Sequence, residues 1–177
     1  MMKVCETKLE GAFVVEPMRF DDERGFFVRS WSLKELPGWE RVSVVESNVS
    51  FNRRSGTLRG MHYQAEPRAQ AKLVRCTRGS VYDVIIDLRD GSPTFKEWVA
   101  VELSAENRLT LCVPCGFAHG FQTLEDETEL FYLVSDTYAP ECSRGVRWDD
   151  PAFRVEWPHA EERVMAERDR QYPDFEP

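Results

Sequence analysis

From about residue 11 onward the chain is cut into short runs rich in β-branched and aromatic residues, separated by Gly, Pro and Asp turns at roughly ten-residue spacing. That rhythm leaves little room for helices and points to an antiparallel sandwich or barrel. GAFVVEPMRF reads as a strand that ends at the turn DDERG, and GFFVRSW follows. RVSVVESNVSFN has strong β-branched content, and the turn NRRSG predicts a hairpin with TLRGMHYQA. AKLVRCT, the turn RGS and VYDVIIDLR come next, with Val84, Ile86 and Leu88 on one face of the last run. After DGSPT, FKEWVAVEL places Phe95, Glu97, Val99, Val101 and Leu103 on one side; RLTLCVP, FAHGFQTL and TELFYLVSDTYAP complete the series. Helical patterning is scarce. SLKELPGW offers one short turn stopped by Pro37, and the tail HAEERVMAERDRQYP has room for another, ended by Pro173. The prediction is a single domain over residues 1–177, mainly β, folded as a jelly-roll barrel with short helical segments near the C-terminus.

The 177 residues carry 31 acidic and 23 basic side chains, a net charge of −8. Such a balance argues against a nucleic-acid binder held by phosphate contacts, although a local basic patch still allows a nucleotide. No apolar run approaches membrane-spanning length. The opening MMKVCETKLEGAFVVE lacks the long apolar region of a signal peptide, and its AFVV is an apolar strand able to pair at an edge. The five cysteines are odd in number and irregularly spaced. Cys112 and Cys115 form a CxxC, but a second CxxC or a histidine pair for structural zinc is missing. Reduced thiols and a cytoplasmic location are the expectation.

One stretch stands out chemically. GTLRGMHYQ, residues 56–64, holds one of only three histidines, His62, with Arg59 before it and Gln64 after it. A strand with these polar residues either buries a satisfied histidine or forms one wall of a pocket. Many jelly rolls bind a metal through an HxH pair, but here Gln64 takes the second position. His119 remains as a distant candidate, and one or two histidines make a poor site. No metal is expected, so the chemistry must come from side chains.

Five blocks occur in order: DERGFF, LRGMHYQ, AKLVRCTRGSVYDVIIDLR, LCVPCGFAHGFQTL and RGVRWDDPAFRVEWP. Together they resemble the dTDP-4-dehydrorhamnose 3,5-epimerase family, from EPMRFDDERGFF to ERDRQYPDF. The resemblance implies a cupin-like jelly roll, no cofactor, and a substrate that is a nucleotide-linked 4-keto-6-deoxy sugar. In such a sugar the C4 ketone acidifies the hydrogens on C3 and C5. A base removes one, an enolate forms, and an acid returns a proton to the opposite face.

By the same resemblance His62 is the base, its imidazole ordinarily titrating near neutrality, and Asp169 is its carboxylate partner. Tyr132 matches the proton donor. Lys72 matches the cation beside the sugar carbonyl. Arg24 and Arg59 match phosphate and sugar contacts, for which the guanidinium fork is suited. Phe20 would line the site, Tyr138 would stack on the base, and His119 matches a substrate contact. A homodimer is implied, with N-terminal segments reaching across to the partner. His159 receives no role.

The chain departs from the family pattern where the nucleotide is handled. Arg29 stands where a glutamate is usual, and Glu46-Ser47-Asn48 replaces Gln-Asp-Asn. An exchange of charge between positions 29 and 46 would either preserve a mutual contact or change the base accepted. Arg168 replaces a lysine and keeps its charge. Four readings stand at this point: the 3,5-epimerase; an enzyme acting at one carbon or on another nucleotide sugar; a binding jelly roll without chemistry; and a metal-dependent oxygenase, disfavoured by the missing HxH.

Overall fold

The computed structural model describes residues 2–159 and 163–176. Two antiparallel sheets face each other. The first has six strands in the order β1 (Met2–Glu6), β2 (Phe13–Pro17), β10 (Thr110–Val113), β7 (Lys72–Arg78), β12 (Thr128–Val134) and β5 (Glu46–Asn52). The second has five: β13 (Ser143–Gly145), β6 (Leu58–Gln64), β11 (Phe117–Thr123), β8 (Ser80–Asp87) and β9 (Trp98–Ser104). A separate hairpin, β3 (Arg19–Asp22) with β4 (Gly25–Val28), stands apart from both sheets. From β5 to β13 the chain alternates between the sheets except at the β8–β9 hairpin, which makes this the expected jelly roll.

Three apolar layers hold it together. Between the sheets, Val74, Cys76, Leu111 and Leu130 of the first meet Val81, Ile85, Leu103, Phe117 and Phe121 of the second. Outside the six-stranded sheet, Phe13, Val15, Leu73, Cys112 and Leu133 are covered by Leu36 and Trp39. Outside the five-stranded sheet, Met61, Val84, Ile86 and Ala118 are covered by Val146, Phe153 and Phe175. β8 is therefore buried on both faces, and the Val84–Ile86 side lies against this outer cover, with Leu88 packed beside it.

Several local expectations are corrected. RVSVVESNVSFN and TLRGMHYQA do not form a hairpin: β5 pairs only with β12, and β6 pairs with β11 and β13. Residues 53–57 instead turn a corner from one sheet to the other. Ser55 N donates to Asp126 Oδ1 at 2.7 Å, and Arg54 O accepts from Thr57 Oγ1 and Thr123 Oγ1, each at 2.7 Å. β9 starts at Trp98, so Phe95 and Glu97 are not in the strand. Lys96 has a left-handed φ of 67°, which breaks an extended run, and its N–H donates to Asp87 O at 2.8 Å.

The AFVV segment is no edge; β2 lies between β1 and β10, and the edge strand is β1. The turn before Pro37 is a 3-10 turn over Leu33–Glu35. In the tail only α1 (Glu167–Arg170) is helical, and residues 160–162 of the expected helix lie outside the described residues.

Candidate active site

The inward-facing positions change character across the barrel. Toward β9 they are aliphatic and aromatic. Toward the β5 and β6 edges they become Glu46, Asn48, Lys72, Tyr132, Arg59, His62 and His119. These polar residues line a cavity with two lobes. One, of about 360 Å³, is bounded by Ser50, Arg59, His62, Lys72, His119 and Tyr132. The other, of about 250 Å³, shares His62, Lys72 and Tyr132 and extends to Glu46, Asn48, Tyr138 and Arg168. A larger open groove of about 630 Å³, between the C-terminal tail and the outside of the barrel, contains none of these groups.

His62 reaches the cavity because of a backbone irregularity. The β6–β11 register shifts between His119 and Phe121, and such bulges re-aim side chains. Two glycines permit the close approach. Gly60 has φ 140°, and a Cβ there would stand 2.5 Å from Gly120 Cα; one at Gly120 would stand 2.6 Å from Met61 Sδ and 2.8 Å from Arg59 O.

His62 Nε2 and Asp169 Oδ1 are 2.7 Å apart, although the residues are 107 positions apart in sequence. Asp169 is 4% exposed, and its Oδ2 accepts from Gly60 N at 3.2 Å. Burial opposes its ionisation. The bonds from His62 and Gly60, with the Arg168 charge, prevail and hold its carboxyl below the ordinary value. An ionised Asp169 accepts the Nε2 proton, which leaves Nδ1 with the lone pair.

Tyr132 stands on the opposite sheet. Burial pushes its phenol up, with Arg59 working the other way, so it carries its proton at neutral pH. Lys72 is lowered to about 8 by burial, against the pull of Asp83, and its Nζ donates to His62 O at 3.3 Å. The cavity thus brings together an imidazole, a phenol and an ammonium, with imidazole and phenol on facing sheets.

Other residues fix this set. His119 Nε2 donates to the buried Asp83 carboxylate, 2.9 Å from Oδ1 and 3.1 Å from Oδ2. Arg59 Nε donates to Asn52 Oδ1 at 2.8 Å, and Asn52 is tied to Ser50 O and Thr128 O. Gln64 is buried; it donates to Arg68 O at 2.7 Å and accepts from Ala139 N at 2.7 Å, bracing the loop that presents Tyr138. Arg168 donates to Tyr172 OH and Ser143 Oγ, each at 2.9 Å.

Of the residues named from sequence, His62, Lys72, His119, Tyr132, Arg59, Glu46, Asn48, Tyr138 and Arg168 line this cavity, and Asp169 binds His62. Phe20, Arg24 and Arg29 do not. Phe20 and Arg24 belong to the projecting hairpin region, where Arg24 pairs with Asp22 at 2.6 Å. Arg29 pairs with Glu35 at 3.0 Å, not with Glu46, so the two exchanged positions make no mutual contact within one chain. Asp83, Asn52 and Tyr172 were not singled out from sequence. Asp83 had a legible signal, a charge between Val81 and Ile85 on the inward face of an apolar strand. Among the described residues no group of three or more His, Cys, Asp or Glu is arranged to hold a metal ion. The five cysteines are free, with Cys112 buried and Cys115 exposed.

Comparison with known proteins gives the family. The family model for dTDP-4-dehydrorhamnose 3,5-epimerase matches residues 6–177. A protein of that name from Sinorhizobium fredii is 44% identical over 178 residues, covering 98% of this chain and 87% of the relative. A crystal structure of the Bacillus anthracis dTDP-4-dehydrorhamnose 3,5-epimerase with TDP and PPi bound is 43% identical. It superposes with a TM-score of 0.93 over 99% of this chain and 100% of that one. A Legionella pneumophila dTDP-6-deoxy-D-glucose-3,5-epimerase in complex with dTDP-4-keto-L-rhamnose is 37% identical with a TM-score of 0.88, covering 96% and 90%. A cupin-like jelly roll that sets a histidine–aspartate pair against a tyrosine, matched along almost its whole length, belongs to the dTDP-4-dehydrorhamnose 3,5-epimerase family of isomerases.

Proposed function

We propose that this chain epimerises dTDP-4-dehydro-6-deoxy-D-glucose at C3 and C5, giving dTDP-4-dehydro-L-rhamnose. The observation that carries the reading is the placement of His62, backed by Asp169, on one sheet and of Tyr132 on the other, with Lys72 in the cavity between. His62 Nδ1 takes the proton from C3. The C–H electron pair becomes the C3–C4 double bond, and O4 becomes an enolate oxygen facing the Lys72 ammonium. Tyr132 then delivers its phenolic proton to C3 from the opposite face, the double bond collapses, and the C4 ketone returns. Proton exchange with solvent restores the neutral imidazole and the phenol, and the same cycle serves C5. Charged Arg59, near Tyr132, favours the transient phenolate.

The nucleotide half occupies the lobe of Tyr138, Arg168, Glu46 and Asn48, where an aromatic face and a guanidinium suit a base and a phosphate. The working unit is a homodimer of single-domain chains. Its support is the hairpin: Phe20 is 52% and Phe27 68% exposed, and Arg24 lies away from its own chain's cavity. In the dimer Phe20, Arg24 and Arg29 complete the partner's nucleotide lobe. Five free thiols and a nucleotide-sugar substrate fit the cytoplasm; no helix among the described residues is long and apolar enough to cross a membrane.

The test is proton NMR of the purified protein with dTDP-4-dehydro-6-deoxy-D-glucose in heavy water. Loss of both the C3 and C5 proton signals at catalytic rates is expected. Loss at one carbon makes the chain a monoepimerase. No exchange at either, with dTDP still bound, makes it a binding jelly roll or an enzyme of another sugar.

A further inference from the structure

Tyr172, in the closing ERDRQYPDF stretch, receives no role from the sequence, yet it touches both halves of the site. It follows α1 by two residues and lies over β13, where a Cβ on Gly145 would fall 2.2 Å from its ring. Gly145 is the ladder partner of His62. The Tyr172 ring therefore occupies the space that a side chain at position 145 would fill, on the same face as the imidazole and directly beside it. The two rings meet edge to face, with centroids 6.2 Å apart and planes at 68°. At its other end, the Tyr172 hydroxyl accepts from Arg168 Nε at 2.9 Å, and the second hold on that guanidinium is Ser143 Oγ. Arg168 lines the nucleotide lobe.

The segment that bears Tyr172 is itself tied down on both sides. Upstream, Asp169 binds Gly60 N and His62. Downstream, Phe175 N donates to the buried Asp150 carboxylate at 2.6 Å, and the Phe175 ring packs 5.1 Å from Phe153. The backbone on either side of the half-buried Tyr172 ring is thereby anchored, and the ring stands between the imidazole and the guanidinium.

We propose that Tyr172 is a positioning residue that holds the His62 imidazole through its ring and the Arg168 guanidinium through its hydroxyl, so that one side chain sets the base and the nucleotide anchor at a fixed separation. This rests on the function proposed above for the lobe that Arg168 lines.

Two variants separate the two ends. Tyr172→Phe keeps the ring and loses the hydroxyl; Tyr172→Leu loses both. Calorimetry with dTDP reads the Arg168 end, and the His62 Cε1–H resonance, assigned by its absence in His62→Ala, reads the ring end through its ring-current shift. Tyr172→Phe is expected to weaken dTDP about two- to tenfold, the worth of one hydrogen bond, and to leave the His62 resonance in place. Tyr172→Leu is expected to weaken dTDP similarly and to move that resonance. Wild-type affinity in Tyr172→Phe, or an unmoved resonance in Tyr172→Leu, overturns the proposal. If Tyr172→Leu does not fold, Arg168→Lys is introduced both into the wild type and into the Tyr172→Phe variant; equal losses of dTDP affinity in the two backgrounds overturn it. Absence of dTDP binding by the wild type would instead sink the reading of the lobe, while the resonance would still report on the ring.

Discussion

His62 and His119 stand directly opposite each other on the β6–β11 ladder, and each is held by its own carboxylate, Asp169 for one and Asp83 for the other. Their surroundings differ. The His62 side chain is 39% exposed and opens to the cavity, whereas that of His119 is 9% exposed with Asp83 fully buried behind it. Of the two imidazoles, His62 is the more accessible from the cavity, and the proposed function makes it the base. His62→Ala is therefore expected to lower the exchange rate about 10²–10⁴-fold, the usual worth of a general base, with dTDP affinity largely kept. Calorimetry alongside the exchange assay checks both halves of that statement. Asp169→Asn should lose most of the rate as well, because an amide no longer fixes the imidazole tautomer.

Tyr132→Phe removes one hydroxyl from the sheet opposite His62. Proton removal should survive better than stereochemical inversion. Deuterium incorporation without net epimerisation, followed by NMR, is the expected result. Wild-type rates of inversion would mean that the returning proton comes from elsewhere.

Lys72 couples rate and stability with opposite signs. Its ammonium is lowered to about 8 by burial, so the enolate loses its cation as pH rises through that value, and kcat/KM should fall there. For stability, the unfolded chain holds this proton up to the ordinary lysine value of about 10.4. Between the two values the unfolded state binds more protons, so this lysine's share of the stability rises with pH. Below about 8 the charged lysine is a net burden, on the order of 3 kcal/mol. Lys72→Met should raise the unfolding free energy at pH 7, abolish the alkaline fall in rate along with most of the rate itself, and leave the fold intact. Urea titrations at pH 7 and pH 10 decide it: the gain must shrink at the higher pH.

Gly120→Ala tests the backbone approach beneath the dyad. The added methyl meets Met61 Sδ and Arg59 O below 3 Å, and the Arg59 carbonyl cannot rotate away as a side chain would. A destabilisation of about 1–3 kcal/mol is expected, with a fall in kcat beyond what the lost folded fraction explains, because His62 and Arg59 flank the same bulge. Thermal unfolding and rate measured at a temperature where the variant is fully folded separate the two effects.

Much of the architecture was legible in the sequence because turn residues and period-2 runs are local signals. The strand sites of β6, β8, β11 and β12 and the two-sheet class follow from them. Strand pairing is not local. β5 and β6 look like a hairpin across NRRSG, but Asp126 and Thr123, some seventy positions downstream, claim the polar groups of that turn. The dyad was legible only through the ordered blocks, since nothing near Asp169 reveals that it meets a histidine 107 positions away. Asp83 announced itself as a charge on an apolar face. Tyr172 did not, because its role depends on Gly145 lacking a side chain. Phe20, Arg24 and Arg29 are where the motif and the single chain part company: the residues are present, on the hairpin and just after it, but none of them lines the cavity of its own chain.

The His62 imidazole and the Tyr132 phenol sit on different sheets, and the aliphatic layer of Val74, Leu130, Val81 and Ile85 spaces those sheets. Facing sheets pack about 10 Å apart, and the sugar ring must bridge what remains between imidazole and phenol. Core side-chain volume is thereby a calibration of jaw width. On the proposed mechanism, a larger residue at Ile85 or Leu130 would open the jaws and let proton removal outlast inversion at both carbons. In this barrel the reach from imidazole to phenol is set by the packing of its oil.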